Sequence, residues 1–135
     1  MIGKGGFGTI YNFNNLHAIK NVRFTKLTKD SAIKKAIEEY CLYQISSALQ
    51  IGPKITQLFG FDLIIYENCV EFTMEKCSRS TSLNKDEILK SIKALHEFKI
   101  IHGDIKEDNI MYSQVYKKNV LIDFNCSSVI GENVG

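Results

Sequence analysis

Runs of β-branched and aromatic residues alternate with short polar breaks in the first part of the chain. Such runs predict strands, and a break of two polar residues between two runs predicts a tight turn. The runs are residues 7–12, 15–21, 57–66 and 69–75, with Asn14-Asn15 and Glu67-Asn68 at the turns. The pattern therefore predicts two hairpins.

Apolar residues at helical spacing predict two helices. The first covers about 31–49, with Asp30 or Ser31 as its N-cap. The second starts at Asn84 and extends to about 98, because Asn84 and Glu87 fit a capping box. The inward faces are predicted to carry Ile33, Ile37, Tyr40, Cys41, Ile45 and Ala48 in the first helix, and Leu89, Ile92 and Leu95 in the second.

A polar loop around 102–109 and a short strand at 119–123 follow the second helix. The order is then strand, strand, helix, strand, strand, helix, loop, strand. This order predicts an α+β fold, in which an antiparallel sheet with one helix is joined to a mostly helical portion.

Composition narrows the possible classes of protein. The chain has 135 residues, of which 44% are hydrophobic and 24% charged, as expected for one domain with its own core. The net charge of +2 excludes a strongly basic nucleic-acid-binding arm. Since no apolar run approaches about 18 residues, we predict no transmembrane helix.

Four of the first eight residues are glycine, and Gly3, Gly5 and Gly8 fit the spacing G-x-G-x-x-G. In dinucleotide-binding proteins this motif opens a helix, whereas here it leads into a predicted strand. A glycine loop between strands lets backbone N–H groups approach phosphates closely. Lys20 follows one hairpin later, where its ammonium group could return beneath the loop and pair with phosphates.

The polar loop from His102 to Asn109 brings together the residue types that a phosphoryl transfer needs. The carboxylate of Asp104 can accept a proton from a hydroxyl, and Lys106 can neutralise a phosphoryl group. The amide oxygen of Asn109 and the carboxylate of Asp123 suit Mg²⁺, which prefers oxygen ligands.

These motifs occur in the order found in eukaryotic-type protein kinases, which the chain resembles from Gly3 to Asp123. The resemblance implies a protein-kinase-like fold, with ATP and Mg²⁺ as cofactors. Lysine two residues after the base resembles Ser/Thr kinases more than Tyr kinases. The implied roles are phosphate binding by Gly3, Gly5, Gly8 and Lys20, catalysis by Asp104 and Lys106, and metal binding by Asn109 and Asp123.

The same resemblance implies a carboxylate on the first helix that holds Lys20. We take Glu38 as this partner, with the adjacent Glu39 as the alternative. It also implies a hinge at residues 72–77, with Met74 as gatekeeper. Backbone groups of Glu75 and Cys77 would bond the adenine edge. Residues 1–75 would then form the N-lobe, and residues 76–135 the hinge, helix, catalytic loop and metal-binding Asp.

The sequence departs from the kinase pattern at several points. Gly103 stands where an arginine is usual, which puts control by a phosphorylated activation loop in doubt. Asn125 replaces the glycine of Asp-Phe-Gly, a conservative exchange because Asn tolerates left-handed backbone. The later C-lobe helices are absent, so we expect the apolar face of the second helix to be exposed and to favour oligomerisation.

Three functions remain open at this point. The first is a Ser/Thr protein kinase acting on protein substrates inside the cell, in the cytoplasm (of a host cell if the source is viral). The second is a truncated kinase-like module that binds nucleotide or a partner kinase. The third is a small-molecule phosphotransferase, favoured by His102-Gly103-Asp104. None of these functions requires a membrane, or any nucleic acid beyond ATP.

Overall fold

The computed structural model describes residues 3–4, 8–58, 60–79, 82–124 and 127–129, with Gly3, Lys4 and Val129 described by their backbone alone. Two α-helices are described, α1 (Lys29–Ala48) and α2 (Lys85–Glu97), together with one 3₁₀ turn at Glu107–Asn109. The strands are β1 (Gly3–Lys4), β2 (Thr9–Asn12), β3 (His17–Arg23), β4 (Leu63–Ile65), β5 (Cys69–Glu75), β6 (Ser78–Arg79), β7 (Ile100–Ile101), β8 (Ile110–Ser113), β9 (Lys118–Leu121) and β10 (Ser128–Val129).

Five strands form one antiparallel sheet in the order β1-β2-β3-β5-β4. Its central pairing places Lys20 opposite Phe72 and Ala18 opposite Met74. Beyond this sheet, β6, β8 and β9 form a three-stranded sheet, and β7 pairs with β10. None of the described helices is long and apolar enough to cross a membrane.

The two predicted hairpins are confirmed, with different strand bounds. The β2–β3 turn is held by Asn14, whose side-chain oxygen accepts hydrogen bonds from the backbone N–H groups of Leu16 and His17. In the second hairpin β5 has the predicted bounds, but β4 is much shorter than residues 57–66. The chain turns at Gly60, which has a φ of +84°. A strand cannot continue through this turn, so β4 begins after it.

Helix α1 starts earlier than predicted and presents a different face. Its N-cap is Thr28, not Asp30 or Ser31, and the Thr28 hydroxyl oxygen accepts a hydrogen bond from the backbone N–H of Thr25. The predicted face was only partly right, because Ile33, Tyr40 and Ile45 pack against the core but Ile37, Cys41 and Ala48 are exposed. The buried residues are Ala32, Ala36, Glu39, Tyr43 and Ser46. Apart from Tyr43 these are small or polar, so apolar spacing did not mark them.

Helix α2 starts as predicted. The Asn84 side chain accepts a hydrogen bond from the backbone N–H of Glu87 at 3.2 Å, as a capping residue does. Leu95 is buried and Ile92 half-buried, whereas Leu89 is 56% exposed. The part of the chain after α2 is richer in strand than predicted, because β8 was missed and pairs with β9 over four residues.

One hydrophobic cluster joins the sheet, both helices and the segment after β9. Phe72 and Met74 from β5 pack with Tyr43 from α1 and Leu95 from α2. Phe124 belongs to the same cluster. The cleft between the five-stranded sheet and the β8–β9 hairpin is therefore supported by continuous packing.

Candidate active site

Lys20 and Glu39 form a buried ion pair, with 3.2 Å between Lys20 Nζ and Glu39 Oε2. Their side chains are only 1% and 2% exposed. The sequence had placed Glu38 here, and the structure corrects this: Glu38 is exposed. One residue along a helix turns the side chain by about 100°, so only one of the two neighbours can point at the sheet.

Burial raises the pKa of Glu39, while the charge of Lys20, its hydrogen bond and a backbone interaction with Phe124 oppose that shift. Glu39 Oε1 is buried, and its contact with the Phe124 backbone is too long or too bent to count as a regular hydrogen bond. A buried ion pair contributes little net stability, because the cost of desolvation offsets the attraction between the charges.

Gly8 lies tightly against the strand that carries Lys20. A Cβ atom at this position would come within 2.8 Å of the Asn21 carbonyl oxygen and 3.0 Å of Lys20 Cε. Any side chain here would push the loop away from Lys20. Gly3 lies in β1, opposite Ile10, and Gly5 lies outside the described residues.

An apolar cleft with an enclosed volume of about 30 Å³ lies under β2. It includes the predicted gatekeeper Met74 and both predicted hinge residues, and its lining is Ile10, Ala18, Pro53, Met74, Glu75, Cys77, Met111 and Ile122. This enclosed volume is well below the range for small-molecule sites, and the rest of the cleft is open to solvent.

Both predicted hinge residues line the cleft. The backbone N–H of Glu75 donates to the Lys54 carbonyl at 2.8 Å. The Glu75 carboxylate accepts hydrogen bonds from Ser113 Oγ and the Lys54 backbone N–H. Burial raises the pKa of the Cys77 thiol, so Cys77 stays protonated and apolar at the cleft wall.

The predicted catalytic loop brings Asp104, Lys106 and Asn109 together. Asn109 Nδ2 donates to Asp104 Oδ2 at 3.1 Å and to the Asp104 carbonyl at 2.9 Å. Lys106 Nζ lies 3.7 Å from the same Oδ2. Both contacts to the Asp104 carboxylate use Oδ2.

Gly103, at the position where an arginine was expected, has a φ of +86°. An L side chain is strained in that conformation. Glycine at this position therefore lets the loop adopt the positive φ without strain. His102 is buried beside it and accepts a hydrogen bond from the Asp104 backbone N–H at Nδ1. Its Nε2 then donates to the Ile122 carbonyl at 2.8 Å. Burial lowers the pKa of His102, which keeps it in this neutral form.

Asp123 follows directly after Ile122 and has a φ of +63°. Its backbone N–H donates to the Tyr43 hydroxyl at 2.8 Å. The preceding Ile122 N–H donates to the Asn109 carbonyl, which ties Asp123 to the catalytic loop. Asn125, the predicted replacement of the motif glycine, lies outside the described residues.

Tyr43 is the residue of this site that the sequence reasoning missed. It lies one helical turn after Glu39, on the same face of α1. Had Glu39 been taken as the partner of Lys20, the helical period would have placed Tyr43 inward as well.

The arrangement fits a nucleotide bound with Mg²⁺. No group of three His, Cys, Asp or Glu side chains within the described ranges could hold a metal alone. Magnesium bound to a nucleotide is commonly held by one or two protein oxygens, with the phosphates completing its coordination. The Asn109 and Asp123 side chains could supply those protein oxygens.

Comparison with known proteins points to kinases along almost the whole chain. A probable serine/threonine-protein kinase, mkcF of Dictyostelium discoideum, is 34% identical over 145 residues, which cover 96% of this chain and 20% of that protein. Mitogen-activated protein kinase kinase kinase 4 of Mus musculus is 30% identical, covering 98% of this chain and 9% of that protein. B1 kinase of vaccinia virus (strain Copenhagen) is 27% identical, covering 98% of this chain and 52% of that protein.

A crystal structure of a kinase domain superposes on this chain with a TM-score of 0.69 at 19% sequence identity. The match covers 98% of this chain and 51% of that domain. It confirms the predicted fold class, an antiparallel sheet with one helix followed by part of a second lobe. No family model matches the chain. The chain spans about half the length of B1 kinase and a fifth or less of the other two relatives.

Proposed function

Because the chain is a relative of the eukaryotic-type protein kinases and has part of their fold, we propose that it phosphorylates serine and threonine hydroxyls of proteins. The observation that carries this proposal is that one segment of backbone joins two groups of polar residues. The first group is the buried pair of Lys20 and Glu39. The second group consists of Asp104, Lys106 and Asn109, which are hydrogen-bonded or ion-paired to one another. The backbone at residues 122–123 is hydrogen-bonded both to helix α1 and to Asn109.

ATP with Mg²⁺ would supply the transferable phosphoryl group and the cation that offsets its charge. The apolar cleft would bind the base, with the Glu75 carbonyl and the Cys77 backbone at its edge. Lys20 would hold phosphate oxygens, and Glu39 would keep the Lys20 ammonium in place. Gly8 would allow the backbone to approach closely, because a larger residue would clash with β3.

The transfer itself would depend on the loop residues. Asp104 Oδ1 would accept the proton of the substrate hydroxyl, while Asn109 holds Oδ2 in a fixed position. Lys106 would stabilise negative charge that develops on the transferring group. Asn109 and Asp123 would hold Mg²⁺ through oxygen atoms. Catalysis of this kind consists mainly of positioning and charge stabilisation.

The kinase names of the relatives support a protein substrate inside the cell. Lys106, two residues after the proposed base, supports serine and threonine over tyrosine as acceptors. A nucleotide-binding module without turnover, and a small-molecule phosphotransferase, are the competing outcomes of the experiment below.

The test is transfer of radiolabelled γ-phosphate from ATP to casein and to the protein itself, with Asp104→Asn as the inactive variant. We expect label on serine and threonine with the wild type, and a loss of about a thousandfold or more in the variant. Asp108→Asn is the matched control, because Asp108 lies in the same loop but is 73% exposed and paired with Arg79. It should retain wild-type activity.

Equal labelling by wild type and Asp104→Asn would overturn the proposal. ATP binding without labelling would favour the non-catalytic module. Label on choline or an aminoglycoside, with none on casein, would favour the small-molecule phosphotransferase.

A further inference from the structure

We propose that Tyr43 is a positioning residue that fixes the peptide unit between Ile122 and Asp123, and thereby holds the Asp123 carboxylate toward the metal. The part that concerns the metal rests on the proposed kinase function. The part that concerns the peptide rests on the geometry alone.

The peptide unit between Ile122 and Asp123 is held at both of its polar atoms. The N–H of Asp123 donates to the Tyr43 hydroxyl at 2.8 Å. The carbonyl of Ile122 accepts from His102 Nε2, also at 2.8 Å. These two atoms point to opposite sides of one planar unit, so the two hydrogen bonds together fix the rotation of that plane.

This peptide needs such a hold because of the conformation that follows it. Asp123 has a φ of +63°, a left-handed conformation that is unfavourable for a residue with a Cβ. Strained backbone conformations persist where the surrounding contacts hold them in place, and they cluster at functional sites. The fixed plane and the φ of Asp123 together set the direction of its Cα–Cβ bond, and this direction limits where the carboxylate can reach.

Tyr43 is suited to this role because it cannot move away. It is fully buried, and its ring packs 5.5 Å from the ring of Phe72 and 4.9 Å from that of Phe124, centroid to centroid. Burial holds the pKa of Tyr43 well above its usual value, so the hydroxyl stays neutral. Tyr43 lies on the same face of α1 as Glu39, the partner of Lys20. This face therefore connects the Lys20 pair to Asp123, the proposed metal-binding residue.

The first test measures the backbone directly, through the hydrogen exchange of single amides by NMR. In Tyr43→Phe the ring packing is kept and only the hydroxyl is lost. We expect the exchange of the Asp123 amide to rise about fivefold or more, as for loss of one buried hydrogen bond. The Ile122 amide, which donates to the Asn109 carbonyl, should be unchanged.

The matched control is Tyr40→Phe on the same helix, because the Tyr40 hydroxyl donates to Asp62 and not to the Asp123 segment. Tyr40→Phe should leave the hydrogen-exchange rates of both amides at their wild-type values. An unchanged Asp123 amide in Tyr43→Phe, or an equal rise at Ile122, would overturn the proposal, because the second result would mean general loosening.

The second test measures the gain in affinity for a fluorescent ATP analogue when Mg²⁺ replaces EDTA. In Tyr43→Phe we expect the affinity in EDTA to be retained and the gain from Mg²⁺ to fall about fivefold. An equal gain in wild type and variant would overturn the metal part. If the wild type bound no nucleotide, the proposed function would fail, and amide exchange would still decide the positioning role.

Discussion

The buried pair of Lys20 and Glu39 provides a prediction at the scale of single residues. Glu39→Gln removes the negative charge and keeps the shape, so the Lys20 ammonium loses its counter-charge inside the protein. We expect kcat/KM for ATP to fall about tenfold or more, since hydrogen bonds between charged groups contribute about 1.5–3 kcal/mol. Steady-state kinetics at varied ATP concentration measure this effect.

Glu38→Gln is the control, since it makes the same chemical change at the adjacent, exposed position. It should retain kcat/KM within about twofold, as expected for a surface substitution. A larger loss in Glu38→Gln than in Glu39→Gln would contradict the pairing seen in the structure.

Single residues also show what the sequence can and cannot predict about this site. Asp104, Lys106 and Asn109 lie within one short loop, so their spacing along the chain already predicts that they meet. The Tyr43 contact with Asp123 joins residues 80 positions apart, and no local spacing encodes it. Whether Glu38 or Glu39 faces Lys20 depends on the rotation of α1 about its own axis. That rotation is set by packing against the sheet.

At the scale of elements, the two helices differ in how well their sequences encode them. Helix α2 begins with a capping residue that makes its expected hydrogen bond, so local chemistry was enough to place it. Helix α1 has Ala32, Ala36 and Ser46 on its buried face, while Ile37 lies outside. Its inward face combines these small residues with Tyr43 and with the Glu39 contact to Lys20, so hydrophobic spacing alone does not define it.

Capping gives a prediction at this scale. Asn84→Ala removes the side-chain oxygen that accepts from the Glu87 N–H, and should lower the free energy of unfolding by about 1 kcal/mol. Urea denaturation followed by circular dichroism measures the change. Ser31→Ala in α1 should cost about 0.5 kcal/mol or less, because Ser31 is exposed and is not the N-cap. Equal losses in both variants would contradict this account.

At the scale of the whole molecule, the Glu75 carboxylate connects segments that are distant in the sequence. It accepts hydrogen bonds from the Lys54 backbone N–H, from Ser113 Oγ and from the Val115 backbone N–H. The Tyr116 hydroxyl adds a hydrogen bond to the Ser47 carbonyl at the end of α1. The β8–β9 hairpin is therefore bonded both to β5 and to α1, which holds the two sides of the cleft at a fixed separation.

Exposed apolar side chains on α2 and just after it lead to a prediction about association. Leu89 and Phe98 are each 56% exposed, and Ile101 is 41% exposed. Exposed apolar side chains favour association where they form a contiguous patch. We expect the apparent mass from light scattering to rise with protein concentration, and Leu89→Lys to raise the dissociation constant about tenfold, since burying a leucine contributes about 1.5–3 kcal/mol.

Leu27→Lys is the control for this prediction, because Leu27 is 98% exposed but lies before α1, in the first part of the chain. It makes the same change in charge and should leave the association as it is in the wild type. Equal weakening by both variants would mean that added charge, and not the α2 surface, decides association. A wild-type mass that stays at the monomer value of 15.3 kDa over a hundredfold range of concentration would contradict the prediction altogether.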